Sequence, residues 1–180
     1  MLYRQRSKEK RRDFQNKLSV FDDKQIVWVD ECGVNRELHR LYGRSQRGQR
    51  IIDETSGDRI VPRISMIAGY CDGQLLAPFR LDGHTNSVVF NLWVEHILLP
   101  ELKAEQVVIL DNASFHKSKR TRQLIESAEC QLLFQPPYSP DLNKIEPQWA
   151  ILKQGVRTNL NTDLSIQQKL DVQLIKMSEP

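Results

Sequence analysis

The sequence predicts an α/β fold in which helices flank a mixed five-stranded sheet. Two short, β-branched apolar runs, at residues 26–30 and 107–111, each end in an aspartate and are typical of strands buried on both faces. The dipeptide Asp72-Gly73 lies between two further strand-like runs and is typical of a hairpin turn. Helical patterns separate the later strands, and helical crossovers bring such strands parallel to the first. A hairpin combined with crossovers predicts a mixed sheet.

The remaining elements follow in chain order. A charged segment at residues 5–19 predicts a short helix whose narrow apolar stripe is Phe14 and Leu18. The hairpin turn joins strands predicted at 61–70 and 74–81. After the hairpin, the patterns predict a helix that is capped by Thr85 or Asn86 and ends at Pro100. A strand at 105–110 and a basic helix at 117–128, with Leu124 and Ile125 facing inward, come next. The last predicted elements are a strand at 131–134 and a helix at 143–156.

The segment after the first strand, residues 33–59, is rich in arginine, glycine and glutamine and poor in apolar residues. It is longer than an ordinary connection between two elements. We therefore expect a functional excursion, or a loose hairpin of residues 38–42 against 50–52, rather than part of the core.

The bulk composition excludes several classes of protein. With 180 residues, 39% of them apolar and 27% charged, the chain has the size and balance of one soluble globular domain. No apolar run approaches the ~20 residues of a membrane helix, and no apolar stretch follows the basic N-terminus as in a secretory signal. Cys32, Cys71 and Cys130 are odd in number and far apart, which argues against a disulfide framework and a zinc site. We therefore expect a reduced, cytoplasmic compartment.

The positive charges are clustered, although the net charge of +3 is mild. One cluster lies in the first twelve residues, one recurs through residues 36–50, and one follows His116. Such clusters beside carboxylates suit a polyanionic substrate, whose phosphates bind basic side chains whatever the base sequence. For any single cluster, a solvated helix face is the simpler explanation. The DNA-binding candidates drawn from the later clusters and from the last predicted helix are Arg44, Arg47, Lys117, Lys119, Arg120, Lys153 and Arg157.

Three carboxylates form the candidate active site: Asp30, Asp111 and Glu146. In the predicted topology the first strand lies beside the strand at 107–110, so Asp30 and Asp111 meet at the strand tips, where open α/β sheets bind ligands. Phosphodiester transfer needs the attacking and leaving oxygens held in line, and two divalent ions about 3.5–4 Å apart do this. Mg²⁺ and Mn²⁺ prefer oxygen ligands. We therefore predict that the three acids hold two Mg²⁺ ions, with Mn²⁺ as a substitute.

Glu146 reaches the site from the last predicted helix. Asn143 and Glu146 have capping-box spacing, which sets the helix start at Asn143 and leaves Pro147 in the first turn. The alternative is that Glu146 merely completes this capping box. The helical period predicts a buried stripe formed by Ile145, Trp149, Leu152 and Val156. A neighbouring stripe on the same helix contains Glu146, Ala150, Lys153 and Arg157.

Other polar residues lie close to these acids in the sequence. His116 could touch a metal-bound water or the scissile phosphate, or could be an ordinary hydrogen-bonded loop histidine. Asn112 and Asn143 could orient the acids, or could serve the turn and the helix cap. Glu31 must point to the opposite face of the sheet from Asp30, because side chains alternate along a strand. Asp141 is best explained as part of a Ser-Pro-Asp turn.

Three blocks of sequence carry a resemblance to a known family. They are Val29-Asp-Glu-Cys-Gly33, Leu110-Asp-Asn-Ala-Ser-Phe-His116 and Pro136-Pro-Tyr-Ser-Pro-Asp-Leu-Asn-Lys-Ile-Glu146. In the sequence, 34 residues separate Asp111 from Glu146. In this order and at this interval, the blocks resemble the bacterial insertion-sequence branch of the mariner-type DDE transposases.

The resemblance implies a ribonuclease H-like fold, a catalytic triad of Asp30, Asp111 and Glu146, and Mg²⁺ or Mn²⁺ ions. It also implies cleavage at transposon ends, transfer of the 3′-OH to target DNA, and a homodimer on DNA at the bacterial nucleoid. Full-length members carry helix-turn-helix modules before the catalytic domain, and nothing here corresponds to them. We therefore expect a catalytic half that works with a separate DNA-binding segment. The expected parts are a basic linker or helix at 1–22, a DDE catalytic domain at 23–160 with the Arg-rich insertion 33–59, and a C-terminal tail or helix at 161–180.

Two alternatives remain open. One is another ribonuclease H-like nuclease, against which the block at 136–146 and the 34-residue interval argue. The other is a catalytically inert DNA-binding remnant of a transposase, against which the presence of all three acids argues. A P-loop phosphohydrolase is excluded, because the sequence has no G-x-x-x-x-G-K-[ST] run.

Overall fold

A mixed five-stranded sheet forms the centre of the molecule. The structure is a computed structural model, and it describes residues 7–34, 45–49, 64–159 and 163–178. The strands lie in the order β3-β2-β1-β4-β5. β2 pairs antiparallel with β1 and β3, whereas β4 and β5 run parallel to β1, so the predicted mixed sheet is confirmed. The strands are β1 (Ile26–Val34), β2 (Ile64–Cys71), β3 (Gln74–Asp82), β4 (Val107–Leu110) and β5 (Gln131–Phe134).

Helices cover both faces of this sheet. They are α1 (Lys8–Leu18), α2 (Ser87–Trp93), α3 (Lys119–Ser127), α4 (Glu146–Thr158) and α5 (Ile166–Ser178). On one face, α1, α4 and α5 pack against the sheet through Phe14, Trp149 and Leu170. On the other, α2 and α3 pack through side chains that include Phe90 and Ile125. None of the helices among the described residues has the length and apolar character needed to cross a membrane.

Alternation along β1 divides its side chains between these two cores. Trp28 and Cys32 belong to the core under α4, whereas Val27 and Val29 belong to the core under α2 and α3. The same alternation gives Asp30 the α4 face and Glu31 the opposite face. The predicted orientation of Glu31 is therefore confirmed.

The Asp-Gly dipeptide forms the predicted hairpin between β2 and β3. Asp72 and Gly73 have φ values of +46° and +87°, and Cys71 pairs with Gln74 across the turn. Positive φ at both central residues matches the right-handed twist of the flanking strands, and Asp-Gly adopts it readily.

Two predicted boundaries next to the candidate acids were wrong. The first strand does not end at Asp30 but continues to Val34. It continues because residues 30–34 of β1 remain paired with β2, from Asp30 opposite Ala68 to Val34 opposite Ile64. The last helix begins at Glu146, not at Asn143, and no side chain caps it. The capping box is absent because the Asn143 side chain hydrogen-bonds to Asp30 instead.

The basic helix also begins later than predicted. Ser114–Lys117 forms a separate 3₁₀ turn, and Ser118 then caps α3 by accepting a hydrogen bond from the Thr121 N–H. Leu124 and Ile125 face inward as predicted. In the Arg-rich insertion, the hairpin predicted for residues 38–42 and 50–52 lies outside the described residues.

Candidate active site

Parallel pairing of β1 with β4 brings the two aspartates together. Ile26 pairs with Val107 and Trp28 with Ile109. Two residues further along this register, Asp30 lies beside Asp111, at the carboxyl ends of adjacent strands. Both residues continue the alternation toward α4, so they lie on the same face of the sheet.

Glu146 joins the aspartates from the first turn of α4. The segment that follows β5 crosses the strand ends and delivers Glu146 to the same cavity as Asp30 and Asp111. This cavity, called here the acidic cavity, measures about 380 Å³. Its other walls include Asn112, Gln135, Asn143 and the loop Pro136–Pro140. The structure therefore brings the three sequence-predicted acids to one concave surface.

Asp30 is held by two hydrogen bonds. Its Oδ1 accepts from the Glu31 N–H at 2.8 Å, and its Oδ2 accepts from Asn143 Nδ2 at 3.0 Å. Burial raises the pKa of Asp30 to about 7. The hydrogen bond from the Glu31 N–H lowers this pKa, whereas the negative charges of Glu31, Glu146 and Asp111 raise it further. Negative charge at Asp30 is therefore not neutralised by neighbouring side chains.

Asp111 differs from Asp30 in its electrostatic surroundings. Its Oδ1 accepts hydrogen bonds from the Ala113 N–H at 2.8 Å and from His116 Nδ1 at 2.6 Å. Burial acts to raise the pKa of Asp111, but these hydrogen bonds and the charges of His116 and Lys117 outweigh it and hold the pKa below its usual range. The carboxylate is therefore ionised at neutral pH.

His116 is completely buried and lies between two carboxylates. Nδ1 contacts Asp111 and Nε2 contacts Glu31 Oε1 at 2.8 Å. Burial acts to lower the pKa of His116, but the two hydrogen bonds outweigh it and raise the pKa to about 9. Both ring nitrogens therefore face carboxylates, which is the arrangement expected of a hydrogen-bonded histidine, the second of the two predicted alternatives.

The two asparagines have different partners. Asn143 donates to Asp30, and its own Oδ1 is buried without a hydrogen-bond partner among the described residues. Asn112 donates from Nδ2 to the Gln135 carbonyl, which ties the end of β4 to the end of β5. Both asparagines line the acidic cavity, but of the two only Asn143 hydrogen-bonds to one of the three acids.

The basic candidates are distributed around the acids. Lys117 is exposed beside Asp111, with Nζ 6.0 Å from the centre of the Phe134 ring. Lys153 and Arg157 lie on the other side of Glu146, where they line a second cavity of about 720 Å³ that Glu146 and Trp149 also border.

The other described candidates are not among the residues that line these two cavities. Lys119 and Arg47 are exposed, and Arg120 forms an ion pair with Glu95 at 2.7 Å. Arg44 lies outside the described residues.

Sequence reasoning missed two residues of the acidic cavity, Gln135 and Tyr138. Tyr138 has a φ of +56° and is 52% exposed at the cavity wall. No spacing signal in the sequence indicated that the aromatic side chain of this proline-rich loop would line the site. Asp141, predicted as a turn residue, also forms an ion pair with Arg11 at 2.6 Å.

The donor set of the acidic cavity fits a hard divalent cation. Its three acids supply carboxylate oxygens, and the raised pKa of Asp30 reports negative charge that a cation would offset. Within the described ranges, no three Asp, Glu, His or Cys side chains are close enough to form a complete metal-binding cluster. Carboxylates with the same charge repel one another when no cation lies between them. In sites of this kind, phosphate oxygens and water supply the remaining ligands of the cation.

Comparison with solved structures shows the fold. The Mos1 transposase paired-end complex with the left transposon end superposes with a TM-score of 0.71 at 16% identity, covering 93% of this chain and 53% of that chain. The catalytic domain of Mos1 mariner transposase superposes with a TM-score of 0.60 at 12% identity, covering 100% of this chain and 97% of that chain. The sheet is therefore ribonuclease H-like, as the resemblance implied.

The chain spans little more than half of several of these structures. It covers 60% of the chain in the Mos1 strand transfer complex and 64% in the Mos1 paired-end complex with Mn, the latter at a TM-score of 0.63 and 14% identity. A comparison with curated protein sequences finds no match. The family model described as DDE superfamily endonuclease matches residues 25–167, which include all five strands and the three acids. The chain therefore belongs to the DDE superfamily endonucleases.

Proposed function

We propose that this chain is the catalytic domain of a DNA transposase of the bacterial insertion-sequence branch of the mariner-type enzymes. It cuts phosphodiester bonds at transposon ends and joins the freed 3′-OH to target DNA. The observation that carries the proposal is the meeting of Asp30, Asp111 and Glu146, from three separate elements, in one cavity. The similarity to Mos1 transposase, which was solved on transposon DNA, supports it.

Asp30, Asp111 and Glu146 would hold two Mg²⁺ or Mn²⁺ ions. Such ions, when bound, neutralise the charge that develops on the phosphodiester and hold the attacking and leaving oxygens in line. Support comes from the all-carboxylate donor set and from the excess negative charge at Asp30. Mos1 paired-end complexes have been solved with Mn and with Mg.

The protein holds the two aspartates in fixed orientations before DNA arrives. Asn143 and the Glu31 N–H occupy both oxygens of Asp30. Ala113 and His116 both donate to Oδ1 of Asp111. Side chains held in this way need not be reorganised when the charge of the substrate enters the cavity.

Basic residues on either side of the acids would bind the DNA backbone. Lys117 lies beside Asp111, and Lys153 and Arg157 lie beside Glu146, so phosphates on both sides of the scissile bond have a cation within reach. We further propose that the active form is a homodimer on DNA, and that a helix-turn-helix segment outside this chain recognises the transposon end. Both statements rest on the resemblance to the mariner-type enzymes.

The test is nicking of supercoiled plasmid in Mn²⁺ by the parent protein, Asp111→Asn and Asp82→Asn. Asp82→Asn is the matched control, because Asp82 is an exposed carboxylate at the end of β3. We expect the parent and the control to nick, and Asp111→Asn to lose at least about 100-fold in rate. A labelled oligonucleotide with a free 3′-OH, offered with the plasmid, then separates a transposase, which joins the two, from a nuclease that only hydrolyses.

Equal nicking by the parent and by Asp111→Asn would contradict the assigned site. Absence of nicking by a parent protein whose circular dichroism shows an intact fold would favour an inert remnant, or a half that needs its DNA-binding segment. Addition of that segment would distinguish these two.

A further inference from the structure

Glu31 lies on the opposite face of the sheet from the acidic cavity, yet it is connected to Asp111. It is the residue after Asp30 on β1, and its side chain is 16% exposed. Its Oε1 lies 2.8 Å from His116 Nε2, and His116 Nδ1 lies 2.6 Å from Asp111 Oδ1. A carboxylate, an imidazole and a second carboxylate thus form a continuous bridge from one face of the sheet to the other.

The imidazole of this bridge cannot move to another partner. His116 is fully buried, and its ring lies 4.4 Å from the Phe90 ring and 4.3 Å from the Phe115 ring, measured between centroids. Each ring nitrogen lies within hydrogen-bonding distance of a carboxylate oxygen, and an imidazole nitrogen that carries a proton can donate to it. Rotation of the ring would break both hydrogen bonds in a site where water cannot replace them.

The bridge makes the two oxygens of the Asp111 carboxylate different from each other. Oδ1 accepts from both His116 and the Ala113 N–H, whereas the structure shows no hydrogen bond to Oδ2 from any described residue. The Asp111 side chain is 45% exposed, and the residue lines the acidic cavity. His116 thereby fixes Asp111, and Glu31 fixes the ring of His116.

We propose that Glu31 is a positioning residue for the metal site: through His116 it holds Asp111 with Oδ1 engaged and Oδ2 available to a divalent cation. Glu31 does not touch the substrate or the cation. The inference rests on the proposed function, since it assigns Asp111 as a metal ligand. It adds to the DDE triad a fourth acid, on the other face of the sheet, that acts only through a buried histidine.

The experiment compares three substitutions of Glu31 that separate charge from hydrogen bonding. Glu31→Gln keeps an acceptor oxygen at the same reach but removes the charge. Glu31→Asp keeps the charge but shortens the side chain by one methylene, roughly 1.5 Å, which withdraws the acceptor from His116. Glu31→Ala removes both. Glu126→Gln, an exposed position on α3, is the matched control.

The first readout is the affinity of the folded protein for Mn²⁺, measured from the electron paramagnetic resonance signal of the free ion. The second is the Mn²⁺ concentration that gives half-maximal nicking. We expect Glu31→Ala and Glu31→Asp to bind Mn²⁺ about 10- to 100-fold more weakly, the usual effect of removing an outer-shell partner. Glu31→Gln and the control should stay within about threefold of the parent. Thermal unfolding of every variant is measured alongside, so that binding is compared at a temperature where all are folded.

Each alternative outcome overturns the inference in a recognisable way. Parent-like Mn²⁺ binding by Glu31→Asp, with only its stability lowered, would make Glu31 a structural residue. Weaker Mn²⁺ binding by Glu31→Gln, with binding by Glu31→Asp equal to that of the parent, would mean that the charge of Glu31 acts, and not its hydrogen bond to His116. If Glu31→Ala does not fold, the comparison of Glu31→Gln with Glu31→Asp still decides.

Asp111→Asn distinguishes failure of this inference from failure of the proposed function. If the parent binds Mn²⁺, Asp111→Asn does not, and the Glu31 variants bind normally, only the positioning role is wrong. If the parent binds no Mn²⁺, or Asp111→Asn binds it as well as the parent, both the metal site and the role of Glu31 are wrong.

Discussion

The buried carboxyl of Asp30 makes the stability of the fold depend on pH. Its pKa rises from 3.8 to about 7 in the folded protein, so the folded state holds the proton more tightly than the unfolded state. The contribution of this carboxyl is therefore most favourable below about pH 4 and is lost progressively as the pH rises to about 7. Above that pH the ionised side chain destabilises the metal-free fold.

We therefore predict that Asp30→Asn stabilises the metal-free protein at pH 8 by about 1–3 kcal/mol. A full shift from 3.8 to about 7 corresponds to an upper bound of about 4 kcal/mol, which partial solvation reduces. The unpaired Oδ1 of Asn143 can accept from the new amide if the Asn143 side chain flips. The measurement is urea unfolding in the presence of a chelator at pH 4 and pH 8.

The pH dependence is the decisive part of this prediction. The difference between Asp30→Asn and the parent should be small at pH 4 and grow toward pH 8, and Mg²⁺ should stabilise the parent but not the variant. A difference that is constant with pH would contradict the electrostatic explanation. Asp82→Asn serves as the exposed control.

Asn143 acts on the same carboxylate through a single hydrogen bond. We predict that Asn143→Ala lowers the nicking rate about 10- to 100-fold, because Oδ2 of Asp30 loses its fixed orientation. Its stability should change by less than about 1 kcal/mol, since the substitution also removes a buried oxygen that has no partner in the part of the chain that the structure describes. Asn112→Ala, which loses a bond to a backbone carbonyl, should cost less activity, and a larger loss there than in Asn143→Ala would contradict the assignment.

At the scale of elements, the packing of α1 against the sheet makes the N-terminal segment part of the domain. Phe14 is 5% exposed and meets the edge of Trp28 with ring centroids 6.3 Å apart. We predict that Phe14→Ala lowers the free energy of unfolding by about 3–5 kcal/mol, the usual cost of a cavity of this size. Chemical denaturation measures it.

The matched control is Val20→Ala, at a side chain that is 77% exposed just after α1. It should change stability by less than about 0.5 kcal/mol. A similarly small effect of Phe14→Ala would mean that α1 behaves as a linker and not as part of the core. The boundary predicted at residue 22 stays a prediction until this is measured.

For the whole molecule, the proposed DNA binding would depend more on the distribution of positive charge than on the net charge of +3. We predict that Lys117→Ala weakens binding to any duplex and reduces the slope of log affinity against log salt by about 1, as expected when one phosphate contact is lost. The measurement is fluorescence anisotropy between 50 and 200 mM KCl, concentrations at which such contacts dominate affinity.

Arg122→Ala is the control for this prediction. Arg122 is exposed on α3 and forms an ion pair with Glu126 at 3.2 Å. Its removal should leave the salt slope unchanged. Equal effects of Lys117→Ala and Arg122→Ala would mean that DNA binds to a diffuse basic surface and not along the edge of the acidic cavity.

Local patterns in the sequence determined most of the elements. The β-branched run before Asp111 became a fully buried strand, Asp72-Gly73 became the hairpin, and the stripe of Ile145, Trp149, Leu152 and Val156 became the buried face of α4. These features depend on residues a few positions apart, whose periodicity and backbone preferences are recorded in the sequence itself. The three candidate acids were also identified from local position, at the ends of strands and at a helix start.

Only the tertiary structure decided what those acids touch. Asn143 looked like a helix cap, but in the fold its amide binds Asp30, 113 positions away in sequence. Glu31 looked irrelevant because it faces away from Asp30, yet it reaches Asp111 through His116, 85 positions further on. Such contacts exist because β1 pairs with β4 and helices pack on both sides of them. Spacing along the chain carries no record of these long-range pairings, so the arrangement of the site emerged only when the sheet was assembled.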